Sequence, residues 1–393
     1  MRNNLLLWIS YFLMIISLAL GEVAIFDIKI SWIFTVLTVA FAIIYIFKRY
    51  YFSRYQGLFI LFTIFWILYA LFLFTFQTSL PQTSSGLFSL IVNIVIMILL
   101  IILIKDDKLI LLTVKAMKCG LYITIIIAVL NVFFGVYLVD VESDLLRYGN
   151  IPLGFFGNPN DFATFVVMGI FGLFLGWTIS KTINIVELIS VLFSIYLIYL
   201  AGSRGSLIGI LVFVLLFTIF HLIDRISRNH SWVLMLSIIV VAIFSYLFIF
   251  LPEGLISFLL NIFSSEETIV SDIYRIRIVN ESIRMFLDSK LLGVGPLVTT
   301  QLLNINPHNL LVEILVDYGL VVFSLFMVIL VSNLVVISKS KRIFNRVLVY
   351  SIIPSFLVIG ITSSSMFRIR YAWVLFTVIY IYSNLHGREP SRV

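Results

Sequence analysis

Apolar runs long enough to cross a lipid bilayer recur along this chain, and they restrict its possible folds more than any other feature. One of them, LFILFTIFWILYALFLFTF at 58–76, contains no charged residue. A transmembrane helix needs about 20 such residues, and continuous rather than alternating runs favour helices over a transmembrane barrel. Only 11% of the 393 residues are charged, against about 25% in soluble domains. We therefore expect an all-α, polytopic membrane protein with residues 1–393 in a single integral membrane domain.

Twelve candidate spans follow from this pattern: 5–20, 31–47, 57–76, 86–104, 119–138, 161–179, 184–200, 206–222, 232–251, 309–331, 347–363 and 370–384. The first run resembles a signal peptide but lacks a small-residue cleavage site, so we interpret it as an uncleaved span. Residues 252–308 form the longest extramembrane segment. This segment is too short and too apolar for an independent enzyme domain.

Lysines and arginines predict the orientation of the spans, because they are enriched in cytoplasmic loops. With both termini in the cytoplasm, 17 of the 26 lysines and arginines lie inside and 9 lie outside. We attribute the net charge of +7 to this asymmetry, and nucleic acid is not an expected partner.

Arginine dominates the outer set, with seven arginines against two lysines; the arginines are 147, 204, 275, 277, 284, 368 and 370. Its guanidinium is a planar fork of donors suited to phosphate and carboxylate. Arg204 lies in YLAGSRGSLIG (199–209), a hairpin between two spans with no acid beside it. This pattern indicates an anionic ligand on the outer face. The alternative is pairing with loop acids or lipid headgroups, which contributes little at exposed sites.

The outer segment 252–308 contains an amphipathic pattern that predicts a helix over Ile273–Leu287. One face of this helix is apolar: Ile273, Ile276, Val279, Ile283, Phe286 and Leu287. On another face, Arg277, Glu281, Arg284 and Asp288 are spaced to form ion pairs. Arg275 lies outside that ladder, at the edge of the apolar face, and is the better candidate for a membrane-level cavity.

The segment ends in NINPHNLLVEILVDYGL, where His308 stands at the start of the tenth span. His308 is the histidine that this topology places outside, and histidine exchanges a proton near neutral pH. The alternative is that it caps the helix beside Asn309. Asp317 lies about 13 Å further along the helix, where an ionised acid needs a cavity or a basic partner such as Arg204. We take His308 and Asp317 as candidate catalytic residues, since an imidazole or an acid near it can accept the proton of a hydroxyl, and Asn309 as a candidate substrate-binding residue.

A second outer element, LRYGNIPLGFFGNPNDFATF (146–165), predicts a turn and a helix cap around Asn158–Asp161. The cap does not explain Arg147 upstream, and we take Arg147 and Asn160 as candidate substrate-binding residues. The nearby acids Asp140, Glu142 and Asp144 are expected to form a solvated loop rather than a metal site.

Four of these elements, in order, resemble the O-antigen ligase/polymerase superfamily: GSRG, GFFGNPNDFA, YRIRIVNESIRMFLDSKLLGVG and HNLLVEILVDYGL. The resemblance covers roughly residues 147–330. It implies a helical bundle of the GT-C type with a lateral groove and an active site outside the cytoplasmic membrane of a bacterium. Arg204 and Arg275 would then hold the donor diphosphate, and His308 would lie at the reaction centre. The ligase pattern of H-N, nine residues and glycine is met by His308, Asn309 and Gly319, while Val322 departs from the small residue common three positions later.

This resemblance implies transfer of a glycan from undecaprenyl diphosphate to an acceptor, without a metal, a nucleotide sugar or another cofactor. The first reading is a polymerase of O-antigen or capsular repeat units, with carrier-linked donor and acceptor, membrane lipids, a chain-length regulator and a flippase as partners. The second is a ligase that transfers the glycan to a lipid or protein. The third is a glycan or lipid transporter, although charged residues are scarce at mid-span, where transporters place them.

Overall fold

The structure is a computed structural model that describes residues 5–21, 23–25, 28–46, 52–76, 81–139, 150–226, 239, 266–303, 306–360 and 366–387. Its helices are α1 Leu5–Ser17, α2 Ile30–Ile46, α3 Arg54–Thr75, α4 Pro81–Leu103, α5 Asp107–Phe134, α6 Pro159–Ser180, α7 Ile185–Leu200, α8 Arg204–Ile226, α9 Glu266–Asp288, α10 Val298–Leu303, α11 Leu310–Ile337, α12 Ile343–Gly360 and α13 Arg370–Gly387. A 3₁₀ turn, Leu18–Leu20, extends α1. Two short strands, β1 Ala24–Ile25 and β2 Ile28–Lys29, pair antiparallel in the α1–α2 connection.

The all-α, polytopic fold class is confirmed. Seven helices are long and apolar enough to cross a membrane: α3, the 84–103 part of α4, α5, α6, the 204–224 part of α8, α11 and α12. Four shorter apolar or buried helices, α1, α2, α7 and α13, coincide with further predicted spans. The predicted ninth span, 232–251, lies outside the described residues except for Ile239.

The predicted start of the fifth span at residue 119 is wrong, because α5 already begins at Asp107. The side chain of Asp106 accepts a hydrogen bond from the Leu109 N–H and caps the helix there. Lys108, Lys115 and Lys118, expected in a loop, are therefore helical. Lysine is a good helix former, so its charge does not interrupt the helix.

Helix α13 lies at the centre of the bundle. Every residue from Tyr371 to Asn384 is buried, and α13 packs against α4, α5, α6 and α11. An aromatic cluster surrounds its start, where the ring of Trp66 lies 5.8 Å from that of Trp373 and 6.0 Å from that of Phe367. Burial of such rings is a major apolar contribution to packing.

Helices α8 and α12 pack antiparallel and define two ends of the bundle. At the lower end, Asp224 of α8 and Arg346 of α12 form a buried ion pair with an N–O distance of 2.5 Å. At the upper end, Gly209 of α8 lies so close to Ile359 that a Cβ on the glycine would overlap that side chain. The start of α5 and the end of α13 also meet at the lower end, through a 2.9 Å contact between Asp107 and His386.

Candidate functional site

The upper end collects the starts of several helices that carry predicted site residues. Gly169 and Gly176 of α6 pack on Leu121 and Val114 of α5, respectively. Helix α6 is therefore antiparallel to α5, which starts at the lower end, and it starts at the upper end as α8 does. Phe165 of α6 contacts Tyr371 of α13, with ring centroids 4.3 Å apart. Helix starts carry a partial positive charge, so their common direction favours an anionic ligand at this end.

Arg204 is the first residue of α8 and follows a tight turn. Gly202 in this turn has a φ of 67°, a left-handed conformation that glycine adopts without strain. The side chain of Arg204 is half-buried, and it forms no ion pair with another residue of the described ranges. The suggested pairing with Asp317 is wrong, because both oxygens of that carboxylate accept hydrogen bonds from other groups.

Arg204 and His308 both lie near the end of α12. Gly209, five residues after Arg204, packs on Ile359 near the end of α12. The final residue of α12, Gly360, packs against Leu310, with 3.0 Å from a Cβ built on the glycine to the leucine Cβ. The end of α12 thus brings together two residues that are 104 positions apart in the sequence.

Helix α11 is broken at Gly319, whose φ of 75° and ψ of 175° are not helical. The break leaves backbone groups without their usual partners, and each such group is costly in a membrane. The segment before α10 supplies partners: the Val294 N–H donates to the Val316 carbonyl, and the Gly295 N–H donates to the Asp317 carbonyl, both at 2.9 Å. Residues 310–318 therefore form a half-helix that the outer segment holds in place.

Two glycines allow the backbones to meet at this break. A Cβ on Gly293 would lie 2.5 Å from the Gly319 nitrogen, and a Cβ on Gly319 would overlap the Leu292 carbonyl. Both glycines have a positive φ, so a side chain at either position would be both strained and sterically excluded.

The half-helix bridges two other helices at the upper end. Its first residue, Leu310, contacts the end of α12 at Gly360. The ring of Tyr318 lies 5.6 Å from that of Phe367, just before α13. Helices α12 and α13 each have 18 residues, or about 27 Å at 1.5 Å per residue. The half-helix joins the last residue of α12 to a residue just before the start of α13, so it runs across the upper end of the bundle rather than along these helices.

Asn309, not His308, caps the half-helix. Its Oδ1 accepts hydrogen bonds from the N–H groups of Leu311 at 3.0 Å and Val312 at 3.2 Å. His308 precedes this cap in a left-handed conformation with a φ of 52°, and its ring is half-buried. Asn309 thus has a structural task at the start of the half-helix.

Asp317 is buried and tied to the outer segment. Its Oδ1 accepts a 2.6 Å hydrogen bond from the hydroxyl of Thr299, and its Oδ2 accepts a 3.1 Å hydrogen bond from the Leu297 N–H. Thr299 lies in the short helix α10. This geometry fits a positioning residue that joins α10 to the half-helix.

The outer amphipathic helix exists as α9, longer than predicted. The Arg277 Nε and Glu281 Oε1 atoms lie 2.8 Å apart, which confirms one pair of the predicted ladder. The buried side consists of Ile278, Ser282 and Phe286, whereas Leu287, predicted on the apolar face, is 58% exposed. Phe286 of the predicted apolar face is thus buried, and Val279 and Ile283 of that face pack against the core. Packing on α10 and α11 extends the buried side to Ile278 and Ser282 and leaves Leu287 out.

Two predicted arginines cannot be located by their side chains. Arg275 belongs to α9, but its side chain falls outside the described residues, and Arg147 lies outside them altogether. The predicted cap of α6 is present: Asn158 accepts a 2.8 Å hydrogen bond from the Asn160 N–H. Asn160 is half-buried at the upper end, near the starts of α8 and α13.

Sequence reasoning missed Asn131, which orders the chain before α6. Its Oδ1 accepts hydrogen bonds from the N–H groups of Leu153 at 3.1 Å and Gly154 at 2.8 Å. A polar amide late in an apolar run was the available signal. Across the described ranges, histidine, cysteine and acidic side chains form no group of three or more that could hold a metal.

Comparison with known proteins agrees with this architecture. Residues 189–327, which include Arg204, His308 and Gly319, match the model of a family described as O-antigen ligase. The chain is 24% identical to the teichuronic acid biosynthesis protein TuaE of Bacillus subtilis (strain 168), in an alignment that covers 87% of this chain and 75% of that protein. Together with the bundle of apolar helices, these matches show that the chain is similar to proteins of the O-antigen ligase/polymerase superfamily.

Proposed function

We propose that this protein is a membrane glycosyltransferase that joins oligosaccharide repeat units carried on undecaprenyl diphosphate into a polysaccharide. The main support is that the chain close to both Arg204 and His308 contacts the end of α12, at Gly209 and Leu310. This arrangement supplies a permanent cation and a proton acceptor at one end of the bundle, where a lipid-linked diphosphate and a sugar hydroxyl have to meet.

Arg204 is proposed to bind the donor diphosphate. When the bond between C1 of the sugar and the diphosphate oxygen breaks, the electron pair stays on the diphosphate. A guanidinium placed there in advance stabilises the developing charge, and it stays protonated at any working pH. Arg275 and Arg147 are proposed as additional contacts to the same donor, and Asn160 as a contact to its sugar.

His308 is proposed as the general base. The acceptor hydroxyl attacks C1 of the donor, its oxygen forms the new glycosidic bond, and its proton passes to the imidazole. Asn309 and Asp317 support this step indirectly, since Asn309 caps the half-helix and Asp317 holds it against α10. The donor is already activated by its diphosphate, so the proposed reaction uses neither a metal nor another cofactor.

The upper end is proposed to face the outside of the bacterial cytoplasmic membrane, with both termini in the cytoplasm. The lower end carries Lys105, Lys108, Lys181, Lys339, Lys341 and Arg342, which lie at or near the ends of α4, α5, α6, α11 and α12. Basic residues of this kind mark cytoplasmic loops. A chain-length regulator and a flippase are proposed partners, since the product grows outside and its repeat units must first cross the membrane.

Polymerisation is preferred over ligation to a separate acceptor. The relative TuaE is named for the biosynthesis of teichuronic acid, which is a polysaccharide, and this favours formation of a polymer. The family match, described as O-antigen ligase, makes transfer of a finished glycan to a lipid or protein the second candidate.

The test is the polysaccharide chain length in a deletion strain complemented with wild type, Arg204→Ala, His308→Ala or the control Arg277→Ala. Single repeat units with both site variants, and a full ladder with wild type and control, support the polymerase. Long chains that remain on the lipid carrier in the two site variants indicate the ligase. An unchanged ladder in both site variants contradicts the proposed site and favours a transporter.

A further inference from the structure

The start of α13 is recessed below the upper ends of its neighbours. The Asn93 Nδ2 of α4 donates a 2.8 Å hydrogen bond to the carbonyl of Phe367. Asn93 lies 12 residues after Pro81, the first residue of α4, so α4 continues about 18 Å beyond this contact. Trp66 of α3 contacts the same Phe367, and α3 continues for nine further residues, about 14 Å. The start of α13 therefore lies below the upper ends of α3 and α4, where Leu292 and Leu297 of the outer segment contact Tyr69 and Gly86.

Arg368, just before the start of α13, is exposed. Its chain neighbours, Phe367 and Ile369, are 6% and 1% exposed, and α13 is enclosed along its length from Tyr371 onwards. A charged group at this depth is costly unless it faces water or an ion of opposite charge.

Further cationic groups lie beside Arg368. A guanidinium nitrogen of Arg370 donates to the hydroxyl of Ser31 at the start of α2, and Lys29 ends the neighbouring strand β2. Two stretches that are distant in the sequence, 29–31 and 368–370, are thus in contact and together hold three basic residues. This is a second cationic centre, distinct from the one at Arg204.

The two centres lie at opposite ends of the half-helix. Arg204 is near its Leu310 end, through the end of α12, and Arg368 follows the Phe367 that packs on Tyr318 at its other end. The half-helix is about 13 Å long. A polymerase has to hold two substrates at once, and each carries a lipid diphosphate.

We propose that Arg368, with Arg370 beside it, binds the diphosphate of the second lipid-linked substrate, the acceptor. This inference rests on the proposed polymerase function. The planar guanidinium of Arg368 suits a phosphate in two-pronged contact. The donor then occupies the Arg204 side, next to His308, and the acceptor sugar reaches across the half-helix to the same reaction centre.

Two substrates with separate roles test the proposal on the full-length protein in lipid nanodiscs. One is a lipid-diphosphate-linked repeat unit whose acceptor hydroxyl is blocked, so that it can only donate. The other has a methylene group in place of the anomeric oxygen, so that its sugar cannot leave and it can only accept. A third, an octyl glycoside of the repeat unit, accepts without a diphosphate.

We expect Arg368→Ala to raise the KM of the lipid-linked acceptor at least tenfold and to change the KM values of the donor and the octyl glycoside less than twofold. Arg368→Lys should recover part of the loss, because it keeps the charge without the fork. Arg277→Ala, an exposed arginine paired with Glu281, is the matched control.

An unchanged acceptor KM, or an equal rise for donor and acceptor, overturns the proposal. A higher KM for the octyl glycoside as well would mean that Arg368 binds a carboxylate of the sugar or stabilises the fold. That result also overturns the proposal. Failure of the wild type to join donor and acceptor refutes the proposed polymerase itself, so the two failures are distinguishable.

Discussion

The hydroxyl of Thr299 donates a 2.6 Å hydrogen bond to the carboxylate of Asp317, across 18 residues of sequence. This contact fastens the outer segment to a transmembrane helix at the point where that helix breaks. It explains how a buried acid is accommodated without a cation among the described residues near it. It also makes Asp317 a support for the half-helix that begins beside His308.

We predict that Asp317→Asn keeps at least a third of the activity, whereas Asp317→Ala reduces it at least tenfold. Asparagine can still accept from the Leu297 N–H and donate to the Thr299 hydroxyl, but alanine leaves both groups buried without a partner, at about 1–3 kcal/mol each. Polymer formation and the thermal unfolding temperature should be measured together. An Asp317→Asn protein as inactive as Asp317→Ala would show that the carboxylate charge takes part in the chemistry.

Gly319→Ala should impair folding as well as activity. The alanine would need a φ near 75°, which costs roughly 1–2 kcal/mol, and its Cβ would overlap the Leu292 carbonyl. The matched control is Gly57→Ala in α3, where a Cβ has no atom within 4 Å. That change should stabilise the helix by about 0.5–1 kcal/mol. Equal yields of folded protein for both variants would contradict the importance of the break.

Arg204→Ala and His308→Ala should each abolish polymer formation at unchanged amounts of protein in the membrane. The first change removes the cation that is proposed to bind the donor diphosphate, and the second removes the proposed general base. Arg204→Lys should remain impaired, since a lysine lacks the planar fork. Arg277→Ala should be mild, because its ion pair with Glu281 is exposed. Full activity of Arg204→Lys would contradict the proposal that the planar guanidinium, rather than its charge alone, is needed at this position.

Arg346→Ala should lower stability strongly. Arg346 and Asp224 are 1% and 3% exposed, and removal of one member of a buried pair typically costs about 3–5 kcal/mol. The double variant Asp224→Leu/Arg346→Met should recover much of this loss, because no unpaired charge then remains. Thermal unfolding in detergent measures both, and a double variant no more stable than Arg346→Ala would contradict this explanation.

Asn333→Leu should raise the unfolding temperature. Asn333 is buried in an apolar cavity of α11, α12 and α13, and neither polar atom of its side chain has a hydrogen-bond partner in the described part of the chain. An unsatisfied buried amide costs about 1–3 kcal/mol, and leucine has a similar volume. Asn93→Leu, which breaks the hydrogen bond to Phe367, should have the opposite effect. A lower unfolding temperature for Asn333→Leu would indicate that the amide does have a partner.

Local patterns in the sequence determined the fold class, the apolar helices at eleven of twelve predicted positions, the Asn158 cap and the Arg277–Glu281 pair. Each depends on residues within one span or one helical turn, where hydrophobicity and spacing act directly. The same patterns misplaced the start of α5, because a helix can continue through lysines. They identified only part of the buried side of α9, because that side depends on what packs against it.

Tertiary structure alone decided which distant residues meet. It tied Asp317 to Thr299 instead of Arg204, brought Arg204 and His308 to one end of α12, and recessed Arg368 beneath the ends of α3 and α4. The glycines at 293 and 319 were visible in the sequence, but their mutual approach was not, since it requires two backbones to pair across a broken helix. The physical reason is that hydrophobicity specifies that a helix enters the membrane, while the partner of each buried polar group is chosen by packing and hydrogen bonding between helices.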